Sequence, residues 1–420
     1  MMDKLRDRVN IASYISVLQT LGRFYLLPRL RYIYTERNEP QLLFFGSPLL
    51  HTVHVARRSE KSTFIQSFLD LLPSASPKTE VLLIQSPLRE RYLNAISRMP
   101  KLRLLMTDFK HTDGRLSLGA DFMANFASRQ TLFYWCLDGN ISVAPLPASG
   151  FSVSIFHALS YLTFQDNEKT SIAEYTTLFR VGKFPSLRKL DIRLTVDRTP
   201  GQPPSPTKLW RDFFKRLRSA TTNSFSILNV QIRGSIASQV SFEDLPDLQT
   251  FTLNNFATNL FHSLSAANLS RMLDCWPDLT RLQISGLDQV TIGFSSLVEI
   301  ASQLPNLKDL EIQINCMTFP TINDVPVLQH DLKTLNLSPR NLENHIALAR
   351  CIDRIFPGLA ALNISGSPPF LKLGIGKEIQ EIYEALQSAK KVQKERENFP
   401  LQVCCPLERG PYPVLALTTL

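Results

Sequence analysis

The apolar residues of this chain recur in a short phrase that is repeated along most of its length. The clearest copy is Phe184–Ile192, FPSLRKLDI, where a proline-containing turn precedes apolar positions spaced L-x-x-L-x-I. Related phrases return at Leu245–Leu253, Trp276–Ile284, Leu304–Ile312 and Phe356–Ile364. The proline predicts a turn. The alternating apolar positions that follow predict a short strand, because the side chains of a strand point alternately to its two faces. A phrase that returns at such intervals indicates a repeat array.

Thirteen copies are found when each copy is aligned on its first apolar position. These positions are Leu30, Leu50, Thr79, Leu102, Leu132, Leu159, Leu187, Ile227, Leu248, Leu279, Leu307, Leu332 and Leu359. Their mean spacing of roughly 27 residues falls in the range of about 20–29 that is typical of leucine-rich repeats. Helical periodicity lies between the phrases, for example at Leu209–Leu217, Leu297–Leu304 and Ile346–Ile355. The sequence therefore predicts an α/β leucine-rich-repeat solenoid, a horseshoe with parallel strands on the concave face and helices on the convex face.

The predicted solenoid spans residues 30–366, about 13 irregular repeats, and other patterns flank or interrupt it. Residues 1–29 have helical spacing and are predicted to form an N-terminal helical cap. The proline-dense residues 197–207 predict a surface loop, because proline has no backbone N–H to give to a helix or central strand. Residues 367–398 contain an amphipathic helix that is predicted to cap the C-terminal end. Residues 399–420 hold four prolines without a period and are predicted to be irregular.

Composition and charge narrow the classes of partner. The net charge of +9 is mild for 420 residues, and no block of five or six Lys/Arg occurs, so no nucleic-acid partner is predicted. The six cysteines are scattered and form no C-x-x-C pair, which favours a reducing compartment. No signal-peptide pattern or bilayer-length apolar stretch is found, so no membrane partner is predicted. We expect a cytoplasmic or nuclear protein.

Catalytic and cofactor patterns are missing from the sequence. It contains no G-K-[ST] phosphate loop, no H-E-x-x-H and no G-x-S-x-G. His51 and His54 are three residues apart in a predicted strand and would point to opposite faces, which argues against a metal pair. Asp247 and Asp278 follow prolines and are interpreted as turn residues. The sequence predicts no enzyme, no cofactor and no metal.

The concave face is the candidate functional surface. In the repeat frame, the third, fifth and seventh positions of each copy face it, and they change along the chain from apolar and aromatic, through basic, to acidic. Exposed apolar patches on proteins mark interaction sites. We predict that a protein target is anchored by Tyr32, Tyr34, Leu104, Met106, Tyr134 and Tyr161, with Lys189, Arg193, Arg233 and Arg281 supplying charge. The alternative is that the charges are solvated strand edges and the apolar positions are covered by the N-terminal helix or a loop.

The phrases FPSLRKLDI, LPDLQTFTL, WPDLTRLQI and LPNLKDLEI, with their irregular spacing, resemble the leucine-rich-repeat portion of fungal F-box proteins over roughly residues 27–366. In that family an F-box binds the adaptor of a cullin–RING ubiquitin ligase and the repeats hold the substrate. Only 26 residues precede the first phrase, and no F-box is recognisable in them. The expectation is that the module was lost or lies upstream, and the adaptor is a partner only in the second case.

The resemblance implies a non-enzymatic substrate receptor that recruits a protein target for ubiquitin ligation. The alternative is a stand-alone leucine-rich-repeat scaffold or regulatory protein that has no connection to ubiquitin.

Overall fold

The chain folds as a solenoid around one long parallel sheet. The computed structural model describes residues 16, 20, 26–36, 40–56, 63–85, 90–108, 116–139, 141–143, 154–165, 172–195, 206–233, 240–261, 263–285, 289–290, 292–318, 320–365 and 375–398. Thirteen strands from these residues form the sheet, and every pair in it is parallel. The strands are neighbours in chain order, as the predicted leucine-rich-repeat solenoid requires, so the fold class is confirmed.

The thirteen strands are β1 (Tyr32–Thr35), β2 (Thr52–Val55), β3 (Val81–Ile84), β4 (Leu104–Asp108), β5 (Tyr134–Asp138), β6 (Tyr161–Gln165), β7 (Lys189–Thr195), β8 (Ile227–Arg233), β9 (Asn255–Thr258), β10 (Arg281–Ile284), β11 (Asp309–Asn315), β12 (Thr334–Arg340) and β13 (Ala361–Ile364). The α-helices are α1 (Thr63–Ala75), α2 (Glu90–Ile96), α3 (Ala120–Ala127), α4 (Ile172–Val181), α5 (Pro206–Ala220), α6 (Pro246–Gln249), α7 (Ala266–Cys275), α8 (Ser295–Gln303), α9 (His345–Ile355) and α10 (Ile375–Asn398).

Not every repeat carries a full convex helix in the described part of the chain. Three connections hold short 3-10 turns, at Pro40–Phe44, Phe242–Asp244 and Ile322–Asp324. The first of these joins the most closely spaced copies, Leu30 and Leu50, where too few residues are left for a long helix. Among the described residues, three two-stranded parallel pairs lie outside the main sheet: Leu116–Leu118 with Ile141–Val143, Ser154–Ile155 with Gly182–Lys183, and Ser263–Leu264 with Gln289–Val290.

One backbone hydrogen-bond arrangement repeats at all twelve junctions between the thirteen described strands. The carbonyl oxygen at the second position of one copy accepts from the second and third N–H groups of the next copy. Ser160 O, for example, accepts from Arg188 N at 2.9 Å and Lys189 N at 3.0 Å, and Arg188 O accepts from Ser226 N at 3.0 Å and Ile227 N at 2.9 Å. This repetition fixes a single register for the whole sheet.

The residues that lead each phrase form a turn. Leu187 N donates to Phe184 O at 3.1 Å, and the same bond joins Leu279 N to Trp276 O at 3.2 Å and Leu307 N to Leu304 O at 3.1 Å. In each of these turns the second residue is proline, whose fixed φ suits that position. The turn brings the chain back from the convex side and aims it into the next strand.

Two copies of the predicted repeat frame are wrong and are corrected by the strand pairing. The frame placed Ile227 and Leu248 at first positions, but Ile227 pairs with Lys189 and Asn255 pairs with Ile227, which are third positions. The first positions are therefore Phe225 and Leu253, which are both buried. The steps from Leu187 to Phe225, Leu253 and Leu279 are 38, 28 and 26 residues, more even than the predicted 40, 21 and 31.

The phrase LPDLQTFTL explains the error at Leu248. Leu248 N donates to Leu245 O at 3.0 Å, the same turn as in the true copies, but the chain then continues into α6 instead of a strand. Leu245, Leu248 and Phe251 are buried, and α6 packs against α5. The segment therefore supplies the convex wall of a repeat whose described residues contain no longer helix. A second apolar series that begins at Leu253 supplies the strand.

The core lies between the sheet and the convex elements. Leu187, Leu190 and Ile192 are all fully buried and share this one environment. Aromatic rings continue it from repeat to repeat: Phe156 stacks on Phe184 with ring centroids 4.8 Å apart, and Phe184 meets Phe179 edge-on at 5.3 Å. Each repeat is thus stabilised mainly by its two neighbours, as in other solenoids.

The C-terminal end of the sheet is covered by α10. Ile379 and Tyr383 on α10 are buried, and the Tyr383 hydroxyl donates to Phe356 O at 3.1 Å. Gly376 permits the close approach of α10 to β13, because a Cβ there would lie 3.0 Å from Ile364 O. Residues 1–15, 17–19 and 21–25 of the predicted N-terminal cap, residues 197–205 of the proline-rich loop, residues 367–374 and the 399–420 tail lie outside the described residues. Pro206 and Thr207 belong to α5.

Candidate partner-binding surface

The concave face presents side chains in rows that run across the strands. We name the third positions of the repeats the first row, the fifth positions the second row and the seventh positions the third row. Cross-strand pairing aligns Leu104 with Tyr134 and Tyr161 in the first row, and Met106 with Cys136 and Thr163 in the second row. Because neighbouring parallel strands lie about 4.8 Å apart, adjacent members of a row are in contact distance.

Most of the predicted site residues fall into these rows, and one falls outside them. The first row contains Tyr32, Leu104, Tyr134, Tyr161, Lys189 and Arg281; the second contains Tyr34 and Met106; the third contains Arg193. Arg233 pairs with Thr195, two residues beyond the third row, because the true first position of its repeat is Phe225. The six predicted apolar anchors therefore share one part of the sheet, from β1 to β6.

The apolar end of the face is open to solvent. Tyr32 is 53% exposed and Tyr34 is 50% exposed on β1. The Tyr34 ring meets His54 edge-on at 4.9 Å, and its hydroxyl donates to Glu36 Oε1 at 2.8 Å, so this tyrosine is held in place. Val81, Leu83, Leu104 and Met106 continue the apolar surface as partly exposed side chains.

An aromatic group follows on β5 and β6. The rings of Tyr134 and Tyr161 are 6.4 Å apart, and Phe133 packs on Tyr161 at 4.9 Å while remaining 45% exposed. Sequence reasoning missed Phe133, since it occupies a second position, at the rim of the sheet rather than within the rows. The aligned repeats could have revealed it. Phe133 occupies the second position of its copy, just before the strand, and the residues at that position in other copies, such as Arg103 and Arg188, are exposed.

Several outward positions in the middle of the second row are covered by their neighbours. Cys136 is 1% exposed, Thr163 5% and Asp191 5%. The Tyr134 hydroxyl lies against Thr163 and Cys136. Burial raises the pKa of Tyr134, and it raises the pKa of the Cys136 thiol to about 12, so Cys136 is a neutral thiol at physiological pH.

The predicted basic region is partly neutralised within the chain. Arg193 Nε lies 3.4 Å from Asp191 Oδ1, and Asn229 Nδ2 donates to the same oxygen at 3.2 Å. Asp191 is therefore a buried carboxylate that one arginine and one amide hold on the concave side. Arg281 is exposed, with Nη2 3.4 Å from Gln283 Oε1, and it lies in register with Asp309.

Small polar side chains line the C-terminal part of the face. Asn363 Nδ2 donates to Asn336 Oδ1 at 2.7 Å, and the Ser338 and Ser365 hydroxyls are 2.8 Å apart. These hydrogen bonds link β12 to β13 across the concave surface. The face thus changes from aromatic and apolar to mixed charge and then to neutral polar groups.

Concavities of different size lie beside the sheet. A cavity of about 150 Å³ is bounded by second-row and third-row side chains of β2–β6, among them Leu83, Met106, Asp108 and Asp138. A larger cleft of about 480 Å³ separates β13 from the exposed side of α10, where Gln380 and Glu384 line it. Among the described residues, no group of three or more His, Cys, Asp or Glu is placed to hold a metal ion. None of the described helices is long and apolar enough to cross a membrane.

No family description and no curated protein matches this chain. Among solved structures, the leucine-rich repeat-containing protein LegL7 from Legionella pneumophila aligns with 84% of this chain and 98% of its own, at 12% identity and a TM-score of 0.32. So loose a similarity carries no information about function or partners. The leucine-rich-repeat character stands on the thirteen-stranded parallel sheet of the chain itself.

Proposed function

We propose that this protein is a binding scaffold that captures a protein partner on its concave face and acts by binding alone. One observation carries the proposal: the apolar and aromatic side chains of β1–β6 are aligned in adjacent rows, and Tyr32 and Tyr34 at one end are half exposed. A contiguous apolar surface of this kind marks a site of protein interaction. Tyrosine is also among the residues that dominate binding energy at protein interfaces.

The basic side chains beside the apolar surface are placed to orient the bound partner. Lys189 continues the first row directly after Tyr161, and Arg281 lies farther along the same row. Charged groups at the edge of an interface govern association rate and specificity more than affinity. We infer that the tyrosine and aliphatic anchors supply most of the affinity, while Lys189 and Arg281 favour a partner with acidic groups at that end.

The proposal is tested with the double variant Tyr32→Ala, Tyr34→Ala in the full chain. A photo-crosslinking amino acid placed at the partly exposed first-row position Val81 identifies the protein that contacts the face, and binding of that purified protein is then measured. We expect the double variant to bind at least about tenfold more weakly, because tyrosine is enriched among the few interface residues whose truncation costs about 2 kcal/mol or more. Thermal stability is expected to change little, since both side chains are half exposed.

A matched control removes exposed apolar side chains elsewhere. Leu71 on α1 is 45% exposed and Val327 is 62% exposed, and neither belongs to the concave rows. The variant Leu71→Ala, Val327→Ala is expected to bind the partner as the unaltered chain does. Equal loss of binding in both double variants would show that general surface hydrophobicity, and not the concave face, holds the partner.

A narrower role follows from the resemblance to fungal F-box proteins. We propose on that basis that the captured protein is a substrate destined for ubiquitination. Co-purification of a cullin–RING adaptor with the full-length gene product is the expected result. A captured partner that arrives without the adaptor would favour the alternative, a stand-alone scaffold or regulatory protein.

A further inference from the structure

We propose that the outer edge of β13 is a strand-docking site, and that residues Tyr412–Leu420 of the same chain occupy it as a fourteenth copy of the repeat. The docked segment adds one parallel strand to the sheet and fills the cleft between β13 and α10. The inference concerns the C-terminal edge of the sheet and does not depend on the partner surface at β1–β6.

Residues Tyr412–Leu420 repeat the phrase that forms each strand. They read YPVLALTTL, and Phe356–Ile364, the copy that contains β13, reads FPGLAALNI. Both have an aromatic residue, then a proline, then a leucine at the first position and an aliphatic residue at the sixth. Thr418 takes the fourth position, where the thirteen other copies have an apolar residue, but terminal repeats of a solenoid are commonly atypical. The segment therefore carries the sequence of a last, imperfect repeat.

The edge of β13 that faces away from β12 has no strand on it among the described residues. Ala361 N donates to Lys333 O at 2.9 Å on the β12 side. Because alternate residues of a parallel strand bond to opposite neighbours, the N–H and C=O of Leu362 face the other way. In the described part of the chain no backbone donor reaches Ala360 O, the second-position carbonyl that accepts from the next copy at all twelve junctions. Such an unpaired edge is a template for one more strand.

The core side of the last repeat is also less covered than that of the repeat before it. Leu337, at the sixth position in β12, is 0% exposed, whereas Ile364, at the sixth position in β13, is only partly buried. At the first position of the last copy, Leu359 retains 7% exposure. A fourteenth copy in the common register places Leu415 beside Leu359 and Leu420 beside Ile364. The segment therefore supplies the two apolar contacts that the last repeat needs.

The cleft has the size and lining for this strand. Its volume of about 480 Å³ equals that of about 16 water molecules at roughly 30 Å³ each. Residues 359–363 form one wall, which is about 13 Å long at 3.3 Å per strand residue. Gln380, Glu384 and Gln387 of α10 line the other wall. A threonine at the fourth position, Thr418, suits this polar wall better than the leucine of other copies.

The connection from α10 is long enough for the segment to return. The Tyr383 hydroxyl donates to Phe356 O at 3.1 Å, so α10 passes the start of β13 at that residue. From Tyr383 to Asn398 the helix extends about 22 Å, at 1.5 Å per residue. The 16 residues 399–414 precede Leu415 and reach up to about 53 Å when extended. The segment can therefore come back to the start of β13 and run parallel to it.

The register is tested by disulfide formation in the full chain, with Cys404→Ser and Cys405→Ser to remove nearby thiols. The pair Ala361→Cys, Leu417→Cys joins two third positions on the concave side, and Ala361 is exposed. Paired residues of neighbouring strands are about 4.8 Å apart, within the Cα separation that a disulfide requires. The matched control is Ala361→Cys, Thr418→Cys, since the fourth position points to the opposite side of the sheet. We expect the first pair to form an intramolecular disulfide at least about tenfold faster than the control.

The absence of a disulfide, or equal rates for the two pairs, would overturn the proposal. A disulfide between two chains, observed as a dimer on a non-reducing gel, would also overturn it, because a second copy would then supply the strand. Peptide mass spectrometry identifies the linked residues.

A second measurement uses hydrogen exchange of the Leu362 amide, which the docked strand protects. Leu415→Asp with Leu420→Asp puts carboxylates at core-side positions and is expected to release the segment, so that the Leu362 amide exchanges at least about tenfold faster. Leu417→Asp with Thr419→Asp puts the same charges on the concave side and should leave the exchange rate unchanged. If the Leu362 amide exchanges at one rate in the unaltered chain and in both variants, the edge of β13 is open and the proposal is wrong.

Discussion

Asp191 and Arg193 on β7 show how a single pair of side chains changes the character of the concave face. The Asp191 carboxylate is 5% exposed, and a buried carboxylate is costly unless a cation or hydrogen-bond donors hold it. Arg193 and the Asn229 amide provide both. Arg193 is therefore committed in part to the chain's own structure, which leaves Lys189 and Arg281 as the better candidates for contact with an acidic partner.

We expect Arg193→Met to destabilise the chain, because the substitution leaves the Asp191 carboxylate with Asn229 but without its cation. Loss of one member of a buried pair can cost about 3–5 kcal/mol. The Arg193 side chain is 37% exposed, so solvent screening reduces the expected cost to on the order of 1–2 kcal/mol. Urea unfolding of the full chain measures the change.

The control for this prediction is a double-mutant cycle with Asp191→Asn. The double variant Asp191→Asn, Arg193→Met has no buried charge to compensate, so it should recover part of the stability that Arg193→Met loses. If the two substitutions act additively, the pair contributes nothing specific, and Arg193 is then as free to bind a partner as Arg281.

Helix α10 is a whole element whose attachment depends on a few side chains. Most of its surface is polar, and only a few contacts hold it against the last repeat. Asp353 on α9 accepts from Gln387 Nε2 at 2.6 Å and lies 2.7 Å from Lys390 Nζ. The Asp353 carboxylate is 10% exposed, whereas Lys390 is 48% exposed. Together with buried Ile379 and Tyr383, this carboxylate fixes α10 over the last repeat.

We predict that Asp353→Ala loosens α10 and lowers the stability of the C-terminal end by about 1.5–3 kcal/mol, the usual value of hydrogen bonds to a charged group. Hydrogen exchange of α10 amides, followed peptide by peptide, measures the loss. Lys377→Ala is the matched control, since Lys377 is 82% exposed and forms an exposed ion pair with Glu381 one turn away. That variant should change stability by less than about 0.5 kcal/mol. Similar effects of the two substitutions would mean that Asp353 does not anchor the helix.

At the level of elements, the sequence predicted whether a segment is a strand or a helix better than it predicted where each repeat begins. The apolar spacing identified β7, α5, α8 and α9 correctly because their buried faces recur with the strand or helix period. It misplaced β9 because LPDL forms the same turn in a true repeat and in α6. Only pairing with β8 distinguishes the two, and a contact between distant residues is not visible in a local phrase.

The candidate surface could be predicted only in part for a related reason. Strand alternation correctly sends Tyr134, Met106 and Asp191 to the concave side, but it does not tell how much each is covered there. Cys136 and Asp191 are both buried, with Tyr134 against Cys136 and Arg193 against Asp191. The pairing of Asp108 with Asp138 depends on the register of two strands that are 30 residues apart in sequence. Exposure and charge pairing therefore needed the fold.

At the scale of the whole molecule, stability should be distributed unevenly along the solenoid. Each repeat contacts mainly the repeats before and after it, so a central repeat has two stabilising interfaces and a terminal repeat has fewer. The amides at strand starts allow a fair comparison, since their hydrogen bonds are alike. Lys189 N donates to Ser160 O at 3.0 Å in the middle of the array, and Ala361 N donates to Lys333 O at 2.9 Å at its end.

We therefore predict that the Lys189 amide exchanges at least about a hundredfold more slowly than the Ala361 amide, because local opening needs less free energy at the end of an array.

Leu190→Ala, at a fully buried position of β7, should cost about 2–5 kcal/mol and lower protection across several central repeats. Leu362→Ala, at a position 4% exposed on β13, should lower protection in β13 and α10 and leave β7 unchanged. Native-state hydrogen exchange of both variants measures this. Equal protection of the Lys189 and Ala361 amides, with both substitutions felt everywhere, would instead make the thirteen repeats one cooperative unit.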